Sequence, residues 1–239
     1  MSGRVGSITT EIVTDGLVFN TDPANRASYI DGNTQTFNTT NFSQSGSISG
    51  ATFDNQFGPS WDFDGTDDTI TYNLGDTLAG SQHMTIGVWM RLDNYSFKGQ
   101  FGIQRTTNQD FECNLYSNQL RWNLRNGSST YAYVSNFQNI VAVGEWFYYV
   151  GWFDGTQSGN DRTKLYINGV NVPFNVQNGT APSSLPNFSS TDVFYLGRNV
   201  SSDWYNDGRI SNTHIYNRSL SPSEILHNYN ALKGRFGLS

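Results

Sequence analysis

Charged residues are few in this sequence and there is a single cysteine, and each scarcity excludes a class of protein. Cys113 has no second cysteine with which to form an intramolecular disulfide. It lies in the alternating apolar run DFECNLY, which predicts a buried and unreactive thiol. Charged residues make up 14% of the chain, and 20 acidic against 14 basic residues give a net charge of −6. The sequence has no basic cluster, so we expect no nucleic-acid partner.

Long apolar runs are missing as well. The opening stretch MSGRVGSITTEIVTDG lacks the apolar core of a secretory signal. No apolar run reaches the roughly 18 residues that a membrane-spanning helix needs. We therefore expect synthesis in a cytoplasm and no insertion into a membrane.

The common motifs of enzyme active sites do not occur either. The three histidines, His83, His214 and His227, have no Gly-x-Ser-x-Gly elbow or cysteine partner that would make one of them a catalytic base. No phosphate-binding Gly-x-x-x-x-Gly-Lys loop and no Cys/His group suited to zinc is present. These absences favour structural or surface roles for the histidines and a protein without enzymatic activity.

Aromatic and turn-forming residues are abundant instead, and they predict strands. Aromatics reach 15% and there are 24 glycines. Residues 84–93, MTIGVWMRLD, alternate so that Ile86, Val88, Met90 and Leu92 share one face. The run EWFYYVGWFDG is apolar on both faces and predicts a central strand covered on both sides. Residues 31–50 are polar, and we expect a loop there. The pattern predicts an all-β fold of two packed antiparallel sheets.

Two local motifs are specific. Asn168-Gly169 stands between two strand-like runs and predicts a type I′ hairpin, because both residues tolerate positive φ. A single helix is expected near the C-terminus, where Ser221 and Glu224 form an S-x-x-E capping box and Pro222 fits the first turn. Its apolar stripe and its terminating glycine are predicted at Ile225, Leu226, Tyr229, Leu232 and Gly234.

The domain organisation follows from where this pattern begins and ends. We expect an extended arm over residues 1–14, one domain over 15–233 and a short tail over 234–239. The arm is polar and the tail extends beyond the helix, so both are candidates for contact with a partner. The residues proposed for that contact are Arg4, Val5, Ile8, Phe236 and Leu238.

Four segments in order resemble a known family. FDGTDDTI at 63–70 is similar to a turn of laminin G-like, concanavalin A-like lectin/glucanase domains, and MTIGVWMR to the strand that follows it. GEWFYYVGWFDGTQ…KLYINGV and FYLGR…DGRISNTHIYNRSLSPSEI resemble the later strands and the terminal helix of the same family. The resemblance covers roughly residues 16–232 and implies a jelly-roll sandwich.

The two ends resemble a narrower group. GSITTEIVTDGLVF and ILHNYNALKGRFGLS are similar to laminin G-like proteins of tailed phages, marine cyanophages among them. The resemblance implies a virion surface protein, either a capsid decoration or head fibre or a tail fibre, made in the host cytoplasm. Its partners would be other virion proteins or further copies of itself. The alternative is a carbohydrate-binding module that attaches to host-surface glycans.

The family also implies sites to look for. Relatives often bind calcium through Asp side chains, and the run DFDGTDD offers Asp62, Asp64, Asp67 and Asp68. Many relatives have an acidic residue at a position that is Ser211 or Asn212 here, so one possible calcium ligand is missing. We therefore expect no cofactor, and a bound calcium ion is the alternative.

The same family includes glycan-binding and glycosidase sites, and the sequence offers candidates for the first only. Tyr95, Trp204 and Tyr205 are loop aromatics that would stack on sugar rings, although packing is the other interpretation. A glycoside hydrolase needs two carboxylates roughly 5–5.5 Å apart if it retains configuration. The four glutamates, at positions 11, 112, 145 and 224, never share a strand at that spacing. Hydrolysis is therefore the least favoured function.

Overall fold

The computed structural model describes residues 12–127, 129–177, 179–200 and 203–239. Within them the chain forms seventeen strands, two α-helices and three 3-10 turns. The strands are β1 Leu17–Thr21, β2 Gln35–Phe37, β3 Ser45–Ser49, β4 Thr52–Asp54, β5 Ser60–Asp64, β6 Thr69–Asn73, β7 His83–Leu92, β8 Lys98–Thr106, β9 Gln109–Tyr116, β10 Gln119–Asn126, β11 Ser129–Val134, β12 Trp146–Asp154, β13 Thr163–Ile167, β14 Val170–Asn171, β15 Asn175–Gln177, β16 Val193–Leu196 and β17 Asp207–Tyr216. The helices are α1 Gly75–Leu78 and α2 Pro222–Leu232, and the 3-10 turns are Phe137–Asn139, Gly159–Arg162 and Lys233–Phe236.

The strands form two antiparallel sheets. One sheet has eight strands in the order β14-β13-β12-β7-β17-β5-β4, with β1 also paired to β17. The other has nine strands in the order β15-β11-β10-β9-β8-β16-β6-β3-β2. This arrangement confirms the predicted two-sheet sandwich. The prediction of a loop over residues 31–50 is wrong, because this interval contributes the short strands β2 and β3 to one edge of the nine-stranded sheet.

Alternating side chains fill the space between the sheets. Ile86, Val88, Met90 and Leu92 of β7 all point inward and are at most 1% exposed. Every residue of β12 is buried, as its apolar sequence predicts. Gly151 in that strand gives room to Trp122 of the opposite sheet, since a Cβ there would lie 3.0 Å from the indole ring. The core therefore depends on large rings packed against small residues.

A second apolar cluster lies on the outer face of the eight-stranded sheet. Trp89 and Tyr148 stand on that face and stack at 5.3 Å. Helix α2 covers them with Ile225 and Leu232, which are buried. Ile12, the first described residue, is 4% exposed and belongs to the same cluster. The last residues of the expected arm are thus part of the packed structure.

Helix α2 begins as the sequence predicts and ends differently. Ser221 Oγ accepts from the Glu224 N–H at 3.3 Å, and Glu224 Oε2 accepts from the Ser221 N–H at 2.8 Å, which confirms the capping box. Arg218, 2.6 Å from the Glu224 carboxylate, lowers the pKa of Glu224 to about 2. Gly234 does not end the helical segment, because the 3-10 turn Lys233–Phe236 contains it and the left-handed residue is Gly237.

The buried face of helix α2 differs from the predicted apolar stripe at two positions, Leu226 and Asn228. Ile225 and Leu232 are buried, but Leu226 is 44% exposed. Asn228 occupies the buried face instead, where its Oδ1 accepts from the Val13 N–H and its Nδ2 donates to the Tyr216 hydroxyl. The helix is therefore held by a polar contact as well as by apolar packing.

The hairpin prediction is confirmed, with φ of 53° at Asn168 and 80° at Gly169.

His214 is buried completely at the centre of a hydrogen-bonded chain. Asn212 donates through Nδ2 to Asn20 Oδ1 at 2.9 Å, so its Oδ1 accepts from Nδ1 of His214 at 2.7 Å. The Tyr148 hydroxyl then donates to His214 Nε2 at 2.6 Å. Burial lowers the pKa of His214 to about 3. The imidazole is therefore neutral and structural.

No helix in the described ranges is long and apolar enough to cross a membrane.

Candidate functional site

Several loops meet at one end of the sandwich and bring distant residues together. The backbone N–H of Gly99, at the start of β8, donates to the Trp204 carbonyl at 3.2 Å. Lys98 beside it lies 3.8 Å from Asp207, the first residue of β17, and Asn94 donates to the same carboxylate. Segments separated by about a hundred residues thus share one surface, which is where most candidate site residues lie.

Three aromatic rings form a partly exposed group on this surface, here called the aromatic platform: Phe97, Tyr116 and Trp204. The Phe97 ring lies 4.6 Å from Tyr116 and 5.3 Å from Trp204, and Tyr116 lies 5.8 Å from Trp204. Phe97 is 46% exposed and Tyr116 36% exposed, while Trp204 is half-buried. Contiguous exposed apolar patches on folded proteins are often interaction sites, so the aromatic platform is a candidate interaction surface.

Polar groups surround the aromatic platform. The Arg121 guanidinium lies 3.7 Å above the Tyr116 ring and is oriented by Gln119, whose Oε1 accepts from its Nη2 at 2.8 Å. Lys98 follows Phe97 directly in the chain, and it pairs at 3.8 Å with Asp207, three residues after Trp204. Flat apolar faces beside charged hydrogen-bonding groups match the two kinds of surface that a sugar ring presents.

The other two predicted glycan residues lie outside the aromatic platform. The Tyr95 hydroxyl donates to the Val141 carbonyl, and its ring packs edge-on against Phe137 at 6.4 Å. Tyr205 pairs with Arg198 in an isolated β-bridge, and the guanidinium lies 5.5 Å from its ring. Both therefore support the loops that carry Trp204 and Phe97.

Three of the four predicted calcium residues come together in the turn between β5 and β6. One carboxylate oxygen from each of Asp64, Asp67 and Asp68 lies within 4.8 Å of the others. Calcium takes ligands at about 2.3–2.6 Å, so these three residues could hold such an ion. Asp62 is separate, because its side chain pairs with Arg209 at 3.2 Å. Of the three, Asp68 is buried, and burial raises the pKa of its carboxyl.

The turn is also held by its own hydrogen bonds. Asp68 Oδ2 accepts from the Asp64 N–H at 2.9 Å, and Asp64 Oδ1 accepts from the Thr66 N–H at 2.8 Å. Lys98 Nζ donates to the Gly65 carbonyl at 3.5 Å, which links the turn to the loops of the aromatic platform. The acidic residues thus have a turn-forming role that needs no ion.

A carboxylate pair that the sequence did not reveal lies on the outer face of the nine-stranded sheet. Asp110 and Glu112 alternate along β9, and one nitrogen of Arg125 lies 2.5 Å from the first carboxylate and 3.6 Å from the second. Asp110 is 0% exposed and Glu112 2% exposed. Asn123 donates to Glu112 at 2.6 Å, and Val200 donates to it through its backbone N–H at 3.4 Å. Neither carboxylate reaches solvent.

Two further groups resemble catalytic arrangements without sharing their geometry. His83 contacts both Asp154 at 3.3 Å and the Ser219 hydroxyl at 3.2 Å through the same ring nitrogen, Nδ1. A catalytic triad needs the acid and the nucleophile on opposite nitrogens of the imidazole, so His83 does not form one with Asp154 and Ser219.

Cys113 is buried as the sequence predicts, and burial raises the pKa of its thiol well above the ordinary value.

The predicted partner residues divide into three cases. Arg4, Val5 and Ile8 lie outside the described residues. Phe236 is 8% exposed, stacks on Trp89 at 4.4 Å and meets Trp146 at a tilt at 4.5 Å, so this residue beyond the helix is packed against the domain. Leu238 is half-buried against the same cluster.

The family model described as the concanavalin A-like lectin/glucanases superfamily, Laminin_G_3, matches residues 64–226 of the chain. No curated protein sequence matches the chain.

Solved structures with a similar fold include binding domains of botulinum neurotoxins. The binding domain of botulinum neurotoxin DC in complex with rat synaptotagmin II superposes with a TM-score of 0.67 at 16% identity, over 91% of this chain and 52% of that one. The same domain in complex with SialylT gives 0.65 at 14% identity, over 91% and 52%. The serotype D binding domain gives 0.66 at 12% identity, over 90% and 52%. The chain spans about half the length of these domains, and at such identity the likeness shows the fold alone.

Proposed function

The chain belongs to the concanavalin A-like lectin/glucanases superfamily, and on that premise we propose a non-enzymatic surface-binding protein whose aromatic platform contacts glycans. The observation that carries the proposal is the group of Phe97, Tyr116 and Trp204, three touching rings of which two are more than a third exposed. Packing alone does not account for rings that leave this much surface in water.

The proposal that the protein has no catalytic activity rests on its carboxylates. Asp110 and Glu112 share a face of β9, but Arg125 and the sheet's amides occupy their oxygens, and both are buried. A glycoside hydrolase needs one carboxylate open to a glycosidic oxygen and the other open to a sugar carbon or a water. Incubation with laminarin, agar and host polysaccharide is expected to release no reducing sugar, and release that depends on Glu112 would refute this part.

The biological setting that we propose is the surface of a phage particle. The resemblance of the two ends to tailed-phage proteins supports it, and proteins of similar fold include the binding domain of botulinum neurotoxin DC in complexes with rat synaptotagmin II and with SialylT. Removing residues 1–11, while keeping Ile12 in its cluster, is expected to abolish incorporation into particles without unfolding the domain. Normal incorporation of the shortened protein would refute attachment through residues 1–11, and absence of the full-length protein from particles would refute the virion role.

Glycan binding is tested by an array. The protein, labelled at its amino terminus, is applied to immobilised bacterial lipopolysaccharides and polysaccharides, with the Trp204→Ala variant alongside. We expect retention on a subset of glycans by the wild-type protein only. An array that retains neither protein would refute glycan binding and leave the virion role standing.

A further inference from the structure

The segment between β16 and β17 carries Trp204 of the aromatic platform over the outer face of the nine-stranded sheet. Its described residues are 197–200 and 203–206, here called the Trp204 loop. The Trp204 carbonyl accepts from the Gly99 N–H of β8 at 3.2 Å and from the Asn199 N–H at 2.9 Å. The backbone that bears the indole is therefore tied both to the sheet and to the other half of its own loop.

Two glycines of β8 allow the Trp204 loop to lie this close to the sheet. A Cβ at Gly99 would stand 1.7 Å from the backbone nitrogen of Asn199, and a Cβ at Gly102 would stand 2.9 Å from Cγ1 of Val200. Neither glycine has a positive φ. Close approach of the loop, and not an unusual backbone conformation, is therefore what calls for glycine at both positions.

Glu112 is the charged group beneath the Trp204 loop, and it is only 2% exposed. Its Oε1 accepts from Asn114 Nδ2 at 3.1 Å and from Asn123 Nδ2 at 2.6 Å, both on the sheet. Its Oε2 accepts from the Val200 N–H of the loop at 3.4 Å. A buried carboxylate is costly unless its oxygens accept hydrogen bonds. One oxygen of Glu112 thus serves the sheet and the other serves the loop.

We propose that Glu112 is a positioning residue for Trp204, because its carboxylate and the two glycines seat the loop so that the indole meets Phe97 and Tyr116. Phe97 precedes the first residue of β8 and Tyr116 is the last residue of β9, so strand ends hold these two rings. Only the third ring depends on how the loop lies on the sheet. The role of Glu112 rests on the proposed function, since it takes the aromatic platform to be the glycan site, and it adds a buried residue that no sugar touches.

The test variant is Glu112→Gln, which keeps the volume of the side chain and one oxygen. Three donors surround Oε1, those of Asn114, Asn123 and Arg125, the last at 3.6 Å, so the amide oxygen should stay there. The new NH₂ group would then face the Val200 N–H, and two donors repel. The substitution therefore breaks the contact with the loop and preserves those with the sheet.

Asp110→Asn is the matched control. Asp110 belongs to the same buried group and pairs with Arg125 at 2.5 Å, but it makes no hydrogen bond to the Trp204 loop among the described residues. Burial raises the pKa of Asp110 to about 7, so the neutral amide resembles a form that the carboxyl itself adopts, and this variant is expected to fold. It perturbs the buried group without touching the loop.

A second variant moves the loop without changing a carboxylate. Gly99→Ala places a methyl group against the backbone of Asn199, so the loop must shift. Gly234→Ala is its control, because a Cβ there meets nothing within 4 Å. Gly99→Ala decides the question if Glu112→Gln does not fold.

Two measurements are made on proteins shown by urea unfolding to be folded. In calorimetric titration with a glycan from the array, Glu112→Gln should bind about five- to tenfold more weakly, because apparent affinity falls with the fraction of molecules in which Trp204 is in place. Gly99→Ala should weaken binding similarly, and Asp110→Asn and Gly234→Ala should bind as wild type does. Glu112→Gln combined with Trp204→Ala should bind no more weakly than Trp204→Ala alone, since residues that act as a unit are not additive.

The second measurement needs no glycan. Acrylamide quenching of Trp204 is obtained as the difference between each protein and the same protein with Trp204→Ala. It should rise in Glu112→Gln, where the loop is released, and stay unchanged in Asp110→Asn. A substitution that only destabilised the sheet would not produce this difference.

The outcomes separate the role of Glu112 from the proposed function. Wild-type affinity in Glu112→Gln and Gly99→Ala, with binding lost in Trp204→Ala, would overturn the role of Glu112 and leave glycan binding standing. Equal losses in Glu112→Gln and Asp110→Asn would overturn it as well. If no protein binds any glycan, the proposed function fails, and unchanged quenching of Trp204 in Glu112→Gln would then refute the positioning role by itself.

Discussion

The pH dependence of folding stability gives a quantitative test of the buried network around His214. Its imidazole is held neutral between the Tyr148 hydroxyl and Asn212 Oδ1, and burial lowers its pKa from 6.5 to about 3. Below pH 6.5 the unfolded chain takes up a proton at this residue and the folded chain does not. The neutral, buried His214 therefore makes its full contribution to the free energy of unfolding above pH 6.5, and that contribution is lost progressively as the pH falls toward 3.

The magnitude follows from the shift. Each pH unit between the two pKa values costs about 1.4 kcal/mol, so lowering the pH from 7.5 to 5.0 removes about 2 kcal/mol through His214 alone. The His214→Gln variant keeps one donor and one acceptor but does not titrate. It is expected to be less stable at pH 7.5, since its amide fits the site imperfectly, and to lack this part of the pH dependence.

The assay is urea unfolding followed by tryptophan fluorescence at both pH values. Carboxylates and the other two histidines titrate in both proteins, so their effects cancel in the difference between wild type and variant. The wild-type protein should lose about 2 kcal/mol more than His214→Gln on going from pH 7.5 to 5.0. Equal losses would show that His214 is protonated in the folded state and would refute the buried neutral network.

Three further predictions concern the fold and the acidic turn. Gly87→Ala should destabilise the protein by about 2–5 kcal/mol in urea unfolding, because a Cβ would lie 2.3 Å from both His214 Nε2 and the Tyr148 hydroxyl; a loss under about 1 kcal/mol would contradict that contact. Ser221→Ala should cost about 1 kcal/mol by removing the capping box, and unchanged stability would show that packing alone holds the helix. Adding calcium, or removing it with EDTA, should change the melting temperature by less than about 2 °C, since the turn at Asp64 and Asp68 makes its own hydrogen bonds. A rise of several degrees on adding calcium would establish a calcium site.

Much of the fold was predictable because it depends on local rules. The period-two pattern of β7 placed Ile86, Val88, Met90 and Leu92 in the core, and Asn168-Gly169 gave its hairpin. The capping box located the start of α2. The strands within 31–50 were missed because they form an edge whose residues are mostly small and polar, so neither alternation nor a run of large side chains marks them.

The site was less predictable because its parts are far apart in the chain. Trp204 was identified as a loop aromatic, but Phe97 and Tyr116 come from a different loop and the end of a different strand, and only the path of the chain brings them together. Their one common feature in the sequence is an aromatic residue beside a turn. The burial of Phe236 was not predictable for a similar reason, since it depends on Trp89 and Trp146. No local pattern contains that information.

The central claim is that glycans bind at the aromatic platform. The measurement that tests it most directly is isothermal titration of a glycan from the array against the wild-type protein, Trp204→Ala and Phe42→Ala. Phe42 is 51% exposed in the loop after β2, outside the aromatic platform, so its variant is the matched control. Trp204→Ala should bind at least about tenfold more weakly, a loss of about 1.4 kcal/mol, and Phe42→Ala should bind as wild type does. Equal affinity of all three proteins would contradict the claim.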